Sequence, residues 1–189
     1  MAVRVSDDSE LLIFASRSEW RQWLESHHDS EPEARVVIFK SGPRQGQLTL
    51  RDAQEEAVGF GWVDAQNRRI DGASYWLRFV PRRPGSAWSL SNIRRVERMT
   101  SAGLMVQAGL ESVDEAHRNG QWEFALQVER TDLIPADLEQ ALRARSGALG
   151  AYERLPHSRK KQILRLLLSA KSPATLERRV RAVADEVVG

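Results

Sequence analysis

GFGWVDAQNRRIDGASYWLRFVPRRPGSAWSLSNIRRVER, residues 59–98, is the stretch of the 189-residue chain that carries its clearest fold signals. Residues 62–64 and 74–80 within it are mostly aromatic or apolar, which is typical of strands. The segment 67–72 between them fits a turn, so the two strands are predicted to form an antiparallel pair. Pro81 cannot donate to a strand ladder, so the chain must leave the sheet there.

Helix-start patterns appear on both sides of this stretch. Ser16 is followed by Glu19 and Thr49 by Asp52, each three residues on, and Ser or Thr at such a position caps a helix. The second helix is predicted to end at Gly59.

The remaining segments complete the fold prediction. The sequence RVVIFK at 35–40 reads as a buried strand, and apolar residues from 135 onward recur only at helical spacing. We therefore predict an α+β fold that is mainly helical with a small antiparallel sheet. An N-terminal α+β core of residues 1–130 precedes a C-terminal helical module of residues 131–189.

Composition limits the classes of protein that the chain can form. Apolar residues make up 41% of it, enough to bury a core. There is no cysteine, so disulfides and thiolate metal sites are excluded, and we predict no metal and no cofactor. No run of about 18 apolar residues occurs, and the start of the sequence lacks a signal-peptide pattern. We expect a cytoplasmic protein without a membrane partner.

Charge alternates along the chain although the formal net charge is only +2. Counting Lys and Arg against Asp and Glu gives −5 for residues 1–67 and +6 for 68–98, then −5 for 99–137 and +6 for 138–189. The basic blocks have two interpretations: they attract phosphates, or they pair with the acidic blocks of the same fold.

Residues 59–98 also hold the best candidate for a binding site. Three of the six tryptophans and eight arginines fall within it, and this mixture suits an anionic ligand with a planar ring, although an aromatic core with an arginine rim has the same composition. The glycines at 59 and 61 let the chain or a ligand approach closely. The predicted ligand-binding residues are Trp62, Asp64, Arg82, Arg83, Trp88, Ser89 and Asn92.

Three of these candidates and one nearby loop also have a simpler structural interpretation. Asp64 is expected to hold one of the arginines rather than to meet the ligand. For Ser89 and Asn92, the simpler role is to satisfy the hydrogen-bonding groups at the end of their own helix without contacting a ligand. The loop 41–46, SGPRQG, resembles a phosphate-binding loop superficially, but it lacks the required residue order, so we interpret it as a turn.

Three other functions stay open. Nucleic acid could bind through the two basic blocks, and the helical module could bind a partner chain. For an enzyme, the candidate acid–base groups are Asp64, Asp71 and His117, but none has a partner that marks a catalytic arrangement. Asp71 fits a hairpin turn and His117 a helix end equally well. We therefore predict no catalytic residues.

Several blocks resemble the bacteriocin-protection, YdeI/OmpD-associated family. In the N-terminal part they are WRQWL at 20–24, FGWVD at 60–64 and FVPRR at 79–83, and in the C-terminal part AYERLP at 151–156. The resemblance extends over almost the whole chain. It implies a bacterial stress or antimicrobial-protection protein with a small C-terminal helical domain, and it implies no catalytic residues.

Overall fold

The computed structural model of the protein describes residues 2–4, 10–40 and 47–187, and of residues 2–4 only the backbone. The loop at 41–46, interpreted above as a turn, lies outside the described residues. The chain forms two compact units, Met1–Trp122 and Glu123–Gly189. The predicted boundary after residue 130 stays a prediction, because compactness does not test whether either unit folds alone.

One sheet forms the centre of the N-terminal unit, and its strands are β1 (Ala2–Arg4), β2 (Glu10–Leu12), β3 (Ala34–Phe39), β4 (Trp62–Arg69) and β5 (Ser74–Pro81). They lie in the order β1-β2-β3-β5-β4. The antiparallel pair predicted from residues 59–98 is confirmed as β4 and β5, but β2 and β3 pair in parallel, so the sheet is mixed. A helix between β2 and β3 provides the crossover that a parallel pair needs.

Four helices belong wholly to this unit: α1 (Arg17–His27), α2 (Leu50–Gly59), α3 (Leu90–Ser101) and α4 (Gln107–Arg118). The hydroxyl oxygens of Ser16, Thr49 and Ser89 each accept a hydrogen bond from a backbone N–H in the first turn of the helix that follows. The helix starts predicted at Ser16 and Thr49 are therefore confirmed, because a cap is a local interaction that the sequence displays directly.

The core of the unit lies between the sheet and α1 and α2. Trp20, Leu24, Val36, Trp62 and Phe79 are among its members, and none exposes more than 1% of its surface. The buried indole groups keep hydrogen-bond partners: Trp20 Nε1 donates to the Ala53 carbonyl at 3.1 Å, and Trp62 Nε1 donates to the His28 carbonyl at 3.0 Å.

The second unit is helical within the described residues. It comprises most of α5 (Gln121–Glu129), followed by α6 (Ala136–Arg143), α7 (Ala148–Glu153), α8 (His157–Leu168) and α9 (Pro173–Glu186). Its core includes Leu138, Leu142, Tyr152 and Ile163. The predicted α+β class with a C-terminal helical region is confirmed. No described helix is both long and apolar enough to span a membrane.

Candidate functional site

Two parts of residues 59–98 are adjacent in the structure: the bend at Gly61 and Trp62, which we call the tryptophan bend, and the segment Pro81–Arg83, which we call the arginine corner. Trp62 on β4 lies opposite Pro81 on β5, and the Arg82 N–H donates to the Gly61 carbonyl at 2.9 Å. Gly61 has a positive φ of 75°, and a Cβ there would lie 2.8 Å from the Ala108 oxygen. A residue with a side chain is therefore strained at this position, and the glycine is what lets the bend pack on α4.

A cleft of about 390 Å³ opens beside this bend, within the N-terminal unit. Four of the predicted residues line it, namely Trp62, Arg82, Arg83 and Trp88. The opposite wall is α4, which the sequence did not indicate as part of the site. We call this space the Arg82 cleft.

Arg82 is a half-buried cation held by neutral groups. Its Cζ lies 3.9 Å from the centre of the Trp88 ring, and Nη1 donates to Ser86 Oγ at 3.3 Å and to the Ala87 carbonyl at 3.1 Å. Nε and Nη2 are buried and have no hydrogen-bond partner in the described part of the chain. Burial lowers the pKa of Arg82 to about 10, against an opposing effect of the Asp64 charge. At neutral pH the guanidinium therefore stays charged and incompletely satisfied.

Arg83 differs from Arg82 in being exposed. Its side chain makes no hydrogen bond or ion pair with residues 10–40 or 47–187, although it lines the same cleft. A guanidinium in this position can bind an anion without first breaking an internal contact.

Asp64 and Asn92 belong to a different polar chain and do not line the cleft. Asp64 Oδ2 accepts from Gln54 Nε2 at 3.2 Å, Gln54 Oε1 accepts from Arg95, and Arg95 Nη1 donates to Asn92 Oδ1 at 2.8 Å. The carboxylate of Asp64 is thus linked to Arg95 on α3 through the side-chain amide of Gln54.

Ser89 also lies outside the lining of the cleft. Its Oγ accepts from the Asn92 N–H at 3.3 Å, which is the capping role given above as the simpler alternative. The structure thus brings four of the seven candidates together and places Asp64, Ser89 and Asn92 elsewhere. Whether the four bind a ligand stays a prediction.

The α4 wall adds acidic groups to the cleft. Glu115 Oε2 accepts from Arg118 Nη2 at 2.9 Å, and Glu111 accepts from Gln107 at 2.9 Å. Hydrogen bonds from Arg118 and Asn119 lower the pKa of Glu115. Arg118 lines the same wall and compensates Glu115, so Glu111 leaves the α4 wall with one excess negative charge opposite the arginine corner.

A buried ionic cluster in the same unit was missed by the sequence reasoning. Glu56 is 1% exposed and accepts from Arg17 Nε at 2.5 Å and from Arg21 Nη1 at 2.9 Å. Its neighbour Glu55 accepts from Arg51 and Arg98, both at 2.9 Å. Glu56 lies three residues after Ala53, on the apolar side of α2, and this spacing is the signal that could have revealed it.

The acid–base candidates have structural roles. Asp71 Oδ1 accepts from the N–H groups of Ala73 and Ser74 at 2.8 and 2.7 Å and from Ser74 Oγ at 2.8 Å, so it closes the β4–β5 turn. These bonds, first that from Ser74 Oγ, lower its pKa. His117 packs on the Trp122 ring with 4.7 Å between ring centres. No cluster among the described residues has the composition of a metal site.

Comparison with known families also divides the chain into an N-terminal and a C-terminal part, near the boundary between the two compact units. Residues 12–112, more than half of the chain, match the family model described as Domain of unknown function (DUF8412), and the chain belongs to that family. Residues 133–187 match the model described as Bacteriocin-protection, YdeI or OmpD-Associated. The resemblance stated from the sequence is confirmed over this C-terminal part. No curated protein and no solved structure matches the chain.

Proposed function

We propose that the N-terminal unit binds a small phosphate-bearing ligand in the Arg82 cleft. The observation that carries the proposal is the state of Arg82, a cation stacked on Trp88 with two buried nitrogens that lack hydrogen-bond partners in the part of the chain that the structure describes. Burying a charge without an ion pair costs free energy. A bound anion would offset that cost, and the exposed Arg83 would form the first contact with it.

The acidic wall narrows the class of ligand. Glu111 and Glu115 repel a molecule that is anionic on every side, but carboxylates accept hydrogen bonds from hydroxyl or amino groups. A ligand with one phosphate at the arginine corner and hydroxyl groups toward α4 satisfies both walls. A nucleoside monophosphate has this pattern, and a cleft of about 390 Å³ is within the range of roughly 300–1,000 Å³ for small-molecule sites.

The C-terminal match suggests the biological setting. Because that family model is described by bacteriocin protection, we propose that ligand binding serves a stress or antimicrobial-protection response in the cytoplasm. No catalytic step is proposed, since Asp71 and His117 are accounted for by turn formation and ring packing.

Isothermal titration calorimetry with a panel of nucleoside monophosphates tests the proposal. Each nucleoside without its phosphate is the matched ligand control. We expect at least one monophosphate to bind and its nucleoside to bind at least about tenfold more weakly, because a charge-assisted contact contributes roughly 1.5–3 kcal/mol.

Two substitutions separate the site from general charge effects. Arg83→Gln is expected to weaken phosphate binding about tenfold, whereas Arg94→Gln removes the same charge from an exposed position on α3 and is expected to change little. Arg82→Met should abolish binding while leaving the melting temperature equal or higher, because it removes a poorly compensated buried cation. If no phosphate compound on the panel binds, or if Arg94→Gln weakens binding as much as Arg83→Gln, the proposal is wrong.

A further inference from the structure

The sheet has a second face, turned away from the core formed with α1 and α2. On β3, Val36 and Ile38 point into that core, so the alternation of a strand places Arg35, Val37 and Phe39 on the opposite face. Val37 is 6% exposed, whereas Phe39, the last residue of β3, exposes 46% of its surface. This face thus carries apolar surface that the core does not use.

The strand register places an indole ring and three arginines together on this face. Trp76 on β5 lies directly between Val37 on β3 and Arg68 on β4. Two residues further along β5, Arg78 lies opposite Arg35.

The ring of Trp76 remains partly exposed. The Arg35 guanidinium lies over it, with 5.3 Å from Cζ to the ring centre. We call the surface formed by Arg35, Phe39, Arg68, Trp76 and Arg78 the Trp76 face.

Two arginines of the Trp76 face share a single carboxylate. Glu33 accepts from Arg35 Nε at 2.9 Å and from Arg78 Nη1 at 3.1 Å. One carboxylate therefore serves two arginines, so Glu33 compensates only one of these two positive charges. Arg78 Nε is buried and lacks a hydrogen-bond partner within the described residues, so Glu33 does not use all the donors of this guanidinium.

We propose that the Trp76 face binds single-stranded nucleic acid. Unpaired bases stack on aromatic rings and on guanidinium planes, while phosphates pair with arginine, and these two contacts need the surface found here. Aromatic rings on a sheet face can stack with splayed bases, whereas the bases of a duplex are stacked on one another and unavailable. An acidic peptide would use the arginines but would leave Trp76 and Phe39 without matching groups.

Fluorescence anisotropy with labelled single strands of DNA and RNA, each of about 12 nucleotides, tests this inference on the full chain. We expect binding to the single strand to exceed binding to the matching duplex and to polyglutamate. Neutralising about two phosphates with Arg35 and Arg78 predicts a log–log salt slope of about −1.4 for a single strand.

Substitutions on the Trp76 face identify which side chains contact the nucleic acid. Trp76→Leu and Phe39→Ser should each weaken binding by about 5- to 100-fold, the range for loss of one stacked base. Arg78→Gln should weaken binding and make the salt slope shallower, while Arg94→Gln on α3 is the charge-matched control. Circular dichroism of each variant confirms that it is folded.

The inference is overturned by any of three results: no binding at about 50 mM salt, equal affinity for polyglutamate, or full affinity in both folded aromatic variants. Because the Trp76 face and the Arg82 cleft use different residues, a failure of oligonucleotide binding leaves the monophosphate titration unaffected.

Discussion

The backbone of Gly109 on α4 lies so close to the carbonyl group of Gly59, the last residue of α2, that a Cβ on Gly109 would be 2.1 Å from the Gly59 oxygen. The Val106 N–H donates to the same oxygen at 3.1 Å. Glycine at position 109 is therefore what allows α4 to approach α2 and form the second wall of the Arg82 cleft.

Gly109→Ala is expected to lower the free energy of unfolding by about 1–3 kcal/mol, because the added methyl group meets backbone that cannot move aside. Urea denaturation measures this effect. Gly72→Ala is the control in the same unit, since a Cβ at Gly72 meets nothing within 4 Å. Equal stability of the Gly109 variant and the wild type would show that α4 does not pack on α2 in this way.

Glu56→Gln tests the buried ionic cluster. The amide keeps the size of the side chain but removes the charge shared by Arg17 and Arg21. We expect a loss of about 3 kcal/mol, the lower end for a broken buried pair, because both arginines retain some contact with water.

Thermal and urea unfolding of the Glu56 variant give the magnitude. Glu25→Gln removes a half-exposed carboxylate that pairs with the same Arg21, and it should cost less than about 0.5 kcal/mol. Similar losses in the two variants would contradict a special role for the buried carboxylate.

Glu55 should make part of the stability dependent on acid pH. Burial acts to raise its pKa, but hydrogen bonds and charges from Arg51 and Arg98 outweigh burial and hold the pKa below its ordinary value. The unfolded chain then binds the proton more tightly than the folded chain near pH 4, so stability rises with pH. The contribution is complete above the unfolded pKa of about 4.3 and is lost as pH falls through the folded pKa.

Glu55→Gln should therefore reduce the unfolding free energy at about pH 6 and approach the wild type toward about pH 3. Urea unfolding at a series of pH values measures the difference. A difference that stays constant over this range, or grows in acid, would show that the sign is wrong.

The fold was predictable where its signals are local. Caps at Ser16, Thr49 and Ser89 mark helix starts in the sequence, and the β4–β5 pair is joined by a short turn. By contrast, β2 has only three residues, and its pairing with β3 depends on the path of α1. A segment so short carries too few side chains to show a period, so the parallel pair was missed.

The part of the candidate site that lies on β4, β5 and the residues directly after β5 was also predictable, because its signals are local. Pairing of β4 with β5 places Trp62 beside Pro81, and Arg82 and Arg83 follow directly in sequence. The α4 wall depends on a long-range contact between two glycines, which no local pattern reveals. The chain from Asp64 through Gln54 and Arg95 to Asn92 likewise exists only after α2, α3 and β4 have packed together.

Tyr152→Phe is expected to stabilise the C-terminal unit. Tyr152 is 1% exposed, and its hydroxyl group has no hydrogen-bond partner among the described residues. Burial raises its pKa, so the hydroxyl stays protonated at neutral pH. An unsatisfied buried polar group costs about 1–3 kcal/mol, while the phenyl ring keeps the packing against Leu138 and Ile163 in the same core.

The Tyr152→Phe variant should therefore gain up to about 1 kcal/mol in urea unfolding, and Leu167→Ala in that core should lose about 2–5 kcal/mol. A loss of stability in the phenylalanine variant would mean that the hydroxyl has a partner in solution, such as a buried water.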